Sequence, residues 1–288
     1  IQVDQNDYIK HLAKINIDPL RWCNLTQPLS LKEKDELRSK IGQLLWISNH
    51  TRPDISCDVS ILASKLKNGT INELKTTNKI INKVKDNGLD LKFQKLQRNV
   101  NIILYTDAAF GNLIDGGSQG GHLIFLVDTH GNCNLLSWQS KRIKRIVRST
   151  LAAEAIAMVE GVESALYIST LMKELCPEIY KEIPIKIYTD NKSLHDALKS
   201  HKFVSDKRLR IDIGSLKEML LKKEISQIHW VNKQNQLADC LTKIGGNILP
   251  LIEALQKQKI TDPEWWSLIS YILIRITKDI WIYKLKYN

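Results

Sequence analysis

Four carboxylates stand where apolar segments would deliver them to one point. Asp107 closes the run Ile102-Ile103-Leu104-Tyr105-Thr106, and Asp190 closes a second run, Ile185-Lys186-Ile187-Tyr188-Thr189. Glu154 falls in the second turn of a helix expected to begin near Ser149, beside the small residues Ala152 and Ala153. Asp239 has apolar Leu237, Ala238, Cys240 and Leu241 around it, so it is not on a plainly solvated face. Carboxylate oxygens are the protein ligands that suit Mg²⁺. Two such ions about 4 Å apart can align a nucleophilic water and a leaving oxygen for phosphodiester hydrolysis. That chemistry needs three or four acidic groups converging. Taken singly, Asp107 reads equally as a turn former at a strand end, and Asp239 as a cap or surface residue. The order strand-Asp, helix-Glu, strand-Asp, helix-Asp is more demanding than any one member.

The elements that must position these groups follow from hydrophobic periodicity. Strands are expected at 102–107, 122–127, 133–138, 183–190 and 225–231, with an edge strand at 89–93. Asp128-Thr129-His130-Gly131-Asn132 has the composition of a hairpin turn. Leu151, Ala155, Met158, Val162 and Leu166 recur at helical steps, so the Glu154 helix is amphipathic and packs on the sheet until Pro177 ends it. A short helix is expected at 193–198. Another is striped by Leu209, Ile213, Leu216 and Leu220, and a last one, 234–241, carries Asp239. The fold class is α/β, a mixed five-stranded sheet flanked by helices.

A small helical region precedes the sheet. Ser30 and Glu33 form a capping-box pattern ahead of Leu37, Ile41, Leu44, Leu45 and Ser48. Pro53 breaks that helix. Further helices are expected at 54–66 and 71–85, with Asn68-Gly69 and Asn87-Gly88 as stops. The expected division is 1–95 helical, 96–245 sheet domain and 246–288 a loosely patterned tail. Within the tail, Trp265 to Ile274 is apolar but too short to span a bilayer, and no membrane partner is expected.

With 42 basic against 31 acidic residues, the 288-residue chain carries a formal charge of +11, which favours a polyanionic partner, nucleic acid before membrane. The five cysteines are odd in number, dispersed and without a Cys-x-x-Cys pair. A reducing, intracellular setting fits them better than a disulfide framework or a structural zinc site. The chain opens on Ile1 rather than Met and reads as a piece of something longer.

The local sequences resemble the ribonuclease H domain, in the version carried by copia-type long-terminal-repeat retrotransposons. The stretches that carry the resemblance are Tyr105 to Ala108, Leu136-Ser137-Trp138-Gln139-Ser140-Lys141, Arg148 to Glu154, Tyr188 to Ser193, His229-Trp230-Val231, and Gln236 through Lys243. Upstream, Ile41 to Trp46 and Thr51-Arg52-Pro53-Asp54-Ile55 resemble the end of the same element's reverse transcriptase. The likeness covers about residues 30 to 245, in order. It implies a ribonuclease H-like fold and four ligands, Asp107, Glu154, Asp190 and Asp239, holding two Mg²⁺ ions, with Mn²⁺ as an alternative. It also implies cleavage of the RNA strand of an RNA–DNA hybrid and a place in a polyprotein beside its reverse transcriptase. The setting would be the cytoplasm, a virus-like particle or the nucleus.

Substrate contacts are expected from the basic run Lys141, Arg142, Lys144, Arg145 and Arg148, and from Lys202, Lys207, Arg208 and Arg210. Each also reads as solvated surface. Thr150 is either a helix cap or a contact to an RNA 2′-hydroxyl. Asn191 and Ser193 could each reach phosphate or cap the following helix, and for Ser193 the cap is the favoured role. Trp138 and Trp230 read as core. One departure concerns Ser205, which stands where relatives often have a histidine that assists product release; His195 and His201 are displaced from it. Tyr-x-Asp-Asp is missing, so the chain holds no polymerase site. Two other readings stay open. One is a catalytically inactive nucleic-acid-binding remnant of a transposable element. The other is an integrase or transposase, which would place its catalytic Glu after the second strand Asp rather than between the two.

Overall fold

The structure is a computed structural model that describes residues 1–201 and 204–260. Lys202 and the apolar stretch from Trp265 to Ile274 lie outside the described residues.

The N-terminal part contains β1 (Gln2–Val3), α1 (Asn6–Lys10), α2 (Leu31–His50), α3 (Ser56–Ser64), α4 (Ile71–Asp86) and β2 (Leu91–Lys92). The capping box at α2 forms as expected: the Ser30 hydroxyl accepts from the Glu33 N–H, and Glu33 accepts from the Ser30 N–H. Thr70 and Glu73 repeat the device at α4. Leu37, Ile41 and Leu44 of α2 pack with Val59 of α3 and with Leu74 and Ile81 of α4 in one apolar core. The 54–66 helix is shorter than its stripe suggests. Pro53 starts a 3₁₀ turn, Pro53–Ile55, before α3 begins. Arg52, beside this break, is 1% exposed, pairs with Asp54 through two nitrogens and donates to the Val84 carbonyl. The expected edge strand at 89–93 reduces to β2, which pairs with β1 in a separate two-stranded sheet.

The main sheet is built from β3 (Val100–Ala109), β4 (Gln119–Asp128), β5 (Cys133–Arg142), β6 (Ile185–Thr189) and β7 (Gln227–Trp230), in the order β5-β4-β3-β6-β7. β3, β4 and β5 form an antiparallel meander, and β6 and β7 run parallel to β3 and β6 respectively. α5 (Thr150–Leu175), α6 (Lys192–Lys199), α7 (Lys207–Leu221) and α8 (Leu249–Lys257) complete this part. It is the ribonuclease H-like mixed sheet that the resemblance implies.

Both faces of β3 and β4 are covered, which is why the strands are buried nearly throughout and carry the unbroken apolar runs 102–105 and 123–127. On one face Ile102, Leu104, Ile124 and Leu126 meet Ala155, Met158 and Val162 of α5 and Ile213 and Leu216 of α7. α5 alone among the described helices is long and apolar enough to cross a membrane by length and composition. Here its apolar stripe is the sheet's core, and Gly161 lets it settle close: a Cβ there would stand 3.0 Å from Thr106 Cγ2. On the other face Ile103, Tyr105, Leu123 and Phe125 meet Leu237, Ala238 and Leu241, and Leu251 and Leu255 of α8. Residues 246–260, expected to belong to the tail, thus contribute to the sheet's core. The Gln258 carbonyl accepts from Cys133 N–H, and Ile260 N–H donates to Gly131 in the β4–β5 turn. The helical region also leans on this face, where the Trp138 indole of β5 donates to the Ser48 carbonyl of α2 at 2.7 Å.

The helix expected over 234–241 is not formed. The segment is two 3₁₀ turns, Lys233–Asn235 and Asp239–Leu241, separated by Gln236 in extended backbone at φ −81° and ψ 101°. The buried Gln236 side chain holds this break open. Its Nε2 donates to the Thr106 carbonyl at 2.9 Å, and its Oε1 accepts from the Ala238 N–H at 3.2 Å.

Candidate metal centre

The two Tyr-Thr-Asp strand ends lie side by side. Tyr105 and Tyr188 are register partners in the parallel β3–β6 pair, and their rings stack at 5.1 Å. Tyr188 stacks in turn on His229 of β7, also at 5.1 Å. Asp107 and Asp190 follow two residues beyond these tyrosines, so parallel pairing brings the two carboxylates out at one end of adjacent strands. Glu154 comes to the same point from α5, whose N-terminus is set by Ser149 accepting from the Ala152 N–H at 3.1 Å. Carboxylate oxygens of Asp107, Glu154 and Asp190 all lie within 4.8 Å of one another.

This arrangement is costly without a cation. Burial pushes the Glu154 carboxyl well above its ordinary range, and the charges of Asp107 and Asp190 push it further. A hydrogen bond from the Asn191 side chain and one from the Ala108 backbone oppose that rise. Its Oε2 is buried without a hydrogen-bond partner among the described residues. Burial likewise raises Asp107, against the opposing pull of the Lys243 ammonium and the Thr242 hydroxyl. An unpartnered buried oxygen among three converging carboxylates is a donor set that fits a hard divalent cation.

Asp239 is placed differently. It opens the 3₁₀ turn and does not share the three-carboxylate cluster. It reaches the cluster through its neighbours. Lys243 lies 2.8 Å from Asp239 Oδ1 and 3.8 Å from Asp107 Oδ2. The Thr242 hydroxyl donates to the Asp107 carboxylate. Burial raises Asp239, but Lys243 and the Asn247 N–H outweigh it and leave the carboxyl below its ordinary value. The turn is docked from two sides. Leu241 packs where Gly121, the cross-strand partner of Asp107, has no side chain. The Leu241 carbonyl accepts from Ser140 Oγ at 2.6 Å.

The expected nucleic-acid contacts divide. Arg145, Arg148, Lys207 and Arg208 line one cleft of about 420 Å³, together with Asp206 and Asp212. Ala152 and Ile156 form its floor. Both are two residues from Glu154, roughly the opposite side of α5, so this cleft flanks the carboxylates rather than containing them. Arg145 is held there by both oxygens of Asp212, at 2.9 and 3.0 Å. Arg142 lies elsewhere, paired with Asp115 in a groove of about 700 Å³ between the helical region and the sheet, which Lys65, Lys67 and Lys243 also line. Lys141 pairs with Glu160 at 3.0 Å, and Lys144 is exposed. Thr150 is exposed in the first turn of α5, and Ser149, not Thr150, is the cap.

Two further readings are corrected. Asn191, not Ser193, caps α6, accepting from Leu194 N–H at 2.9 Å; Lys192 and Ser193 are already inside the helix. Trp230 is not core: it is 44% exposed, and its indole N–H donates to the Asp190 carbonyl at 2.9 Å. Ser205 is exposed, whereas His195 is buried on α6 and contacts Asp196. The residues given no role from the sequence are Gly121, Gln236, Thr242 and Lys243, and Trp230 reads there as core rather than as a support of Asp190. Lys243 alone left a readable signal, a basic residue four positions after Asp239.

The fold is ribonuclease H-like, and an acidic cluster stands at the ends of its central strands. No family model matches the chain. It is 27% identical over 227 residues to the retrovirus-related Pol polyprotein from transposon RE1 of Arabidopsis thaliana, covering 78% of this chain and 15% of that protein. It is 28% identical over 218 residues to the corresponding polyprotein from transposon RE2, covering 74% and 14%. The chain is thus related in sequence to retrotransposon Pol polyproteins and spans about 15% of the length of these relatives. Among solved structures, LC11-RNase H1 in complex with RNA/DNA hybrid aligns with 49% of this chain and 94% of its own, at 19% identity and a TM-score of 0.36.

Proposed function

We propose that this chain is a metal-dependent endonuclease of the ribonuclease H type, cleaving the RNA strand of an RNA–DNA hybrid as part of a copia-like retrotransposon polyprotein. The observation that carries the proposal is the cluster of Asp107, Glu154 and Asp190 oxygens within 4.8 Å, with a buried Glu154 oxygen that has no hydrogen-bond partner among the described residues. These three residues and Asp239 would hold Mg²⁺. When bound, two such ions neutralise phosphate charge and lower the pKa of an attacking water.

The chain's own groups do the positioning. Thr242 orients the Asp107 carboxylate, Asn191 holds Glu154, and Trp230 fixes the backbone at Asp190. The cleft of Arg145, Arg148, Lys207 and Arg208 would hold the sugar–phosphate backbone of a strand beside the cut site. Thr150, exposed at the start of α5, is available to a 2′-hydroxyl. In this reading residues 1–95 are the end of the upstream reverse transcriptase, and 96–245 carry the nuclease.

The test is cleavage of a labelled RNA–DNA duplex by the full chain with Mg²⁺. Activity that disappears in Asp107→Asn and in EDTA is the expected result. Retained hybrid binding with no cleavage would instead identify an inactive binding remnant, and cleavage unaffected by Asp107→Asn would remove the assignment.

A further inference from the structure

Lys243 stands between the two carboxylates that the cluster leaves apart. Its ammonium is 2.8 Å from Asp239 Oδ1 and 3.8 Å from Asp107 Oδ2, so one positive charge serves both. The same Asp107 oxygen also accepts from Thr242. By contrast, Glu154 Oε2 has no hydrogen-bond partner among the described residues. The site is therefore asymmetric: among the described residues no ammonium or guanidinium pairs with Glu154 or Asp190, whereas the Asp107–Asp239 side has a counter-charge built in. A lysine and a divalent ion compete for the same oxygens, because their positive charges repel at contact distance. The lysine has somewhere to go. Its side chain is 40% exposed, and it lines the groove of about 700 Å³ that runs past Asn112 and Asp115.

Resting on the metal-dependent reading above, we propose that Lys243 is a tethered cation that occupies the Asp107–Asp239 half of the site. The chain then takes up one divalent ion at Asp107, Glu154 and Asp190 readily. A second, at Asp107 and Asp239, binds only as the ammonium withdraws. The lysine thereby sets the divalent-ion concentration at which the site fills, and it holds the Asp239 turn against β3 until then.

Mn²⁺ binding to the full chain tests this, read by calorimetry and by the paramagnetic signal of free Mn²⁺, with thermal melting in EDTA alongside. Wild type should show one tight site and one weaker site. Lys243→Met should bind the second ion about tenfold more tightly, as expected when a competing state that holds most of the population is removed. It should also melt lower than wild type in EDTA and regain the difference at saturating Mn²⁺. Lys243→Arg keeps the charge and should keep the wild-type pattern. If Lys243→Met does not fold, Lys243→Gln takes its place, with near-ultraviolet circular dichroism as the check. An unchanged or weaker second site in the uncharged variants overturns the proposal while leaving the metal-dependent reading standing. A wild-type chain that binds no Mn²⁺ at all overturns both.

Discussion

Gly121 and Leu241 meet with no space for a side chain on the glycine: a Cβ at 121 would stand 2.6 Å from Leu241 Cβ and 3.2 Å from its carbonyl oxygen. Gly121 is also the register partner of Asp107 across β3–β4. One missing methyl group therefore lets the Asp239 turn sit against the strand that bears Asp107. Gly121→Ala should force the turn outward, costing about 1–3 kcal/mol in overpacking. Denaturant unfolding would register the cost. Mn²⁺ titration of the same variant should lose the weaker site before the tight one. A variant with wild-type stability and both sites intact would show that the turn tolerates displacement.

The pH dependence of the metal-free protein should bear the mark of Glu154. Its folded pKa is raised above the ordinary value of 4.5. The associated stability is therefore fully present below 4.5 and is lost as pH rises through the folded value. In EDTA, wild type should lose melting temperature relative to Glu154→Gln as pH rises above 4.5. Saturating Mg²⁺ should remove that difference by supplying the missing counter-charge. Parallel melting curves for the two proteins across the range would mean that Glu154 is not strained.

Trp230 offers a way to disturb the site without touching a carboxylate. Trp230→Phe keeps a ring but removes the donor to the Asp190 carbonyl. Because the side chain is 44% exposed, stability should change little. Metal affinity should fall about tenfold, the usual consequence of releasing a group that orients a ligand. Calorimetry with Mg²⁺ separates the two effects, and unchanged affinity would assign Trp230 to the surface alone.

In the helical region the sensitive point is Arg52. It is buried, pairs with Asp54 through two nitrogens and spans to the Val84 carbonyl of α4. Arg52→Met would leave Asp54 buried without its partner, at a cost of about 3–5 kcal/mol. Urea unfolding should show it. A loss below about 1 kcal/mol would mean that Asp54 finds water or another donor.

The main strands and helices were legible because their periodicity is a direct record of burial. Ile102 and Leu104 face α5, while Ile103 and Tyr105 face the opposite core, and both are apolar for that reason. The capping boxes at Ser30 and Thr70 are local and left an equally local signature, although only the first was read. Illegible were features whose cause lies far along the chain. Gln236 breaks a helix-like segment only because the Thr106 carbonyl awaits it. Arg52 looked like part of a loop, since nothing nearby announces the α4 carbonyl it meets. The approach of Asp107 and Asp190 could be anticipated from two like strand ends. The placement of Asp239 behind Lys243 could not, because it depends on the shape of a turn.

The pairing of β3 with β6 has a consequence for how the chain acquires its site. These strands are parallel neighbours, yet β4, β5 and α5 lie between them in sequence. Their union is a non-local contact, of the kind that closes slowly because a long loop must first be ordered. Asp107 and Asp190 are strangers until then. A nascent chain emerging from the ribosome would carry the first carboxylate through the whole synthesis of the meander and the long helix without a metal site to belong to. On the proposed metal-dependent reading, uptake of a divalent ion would be a clock for assembly: in a refolding experiment followed by Mn²⁺, the ion should bind only with the phase that pairs β3 and β6.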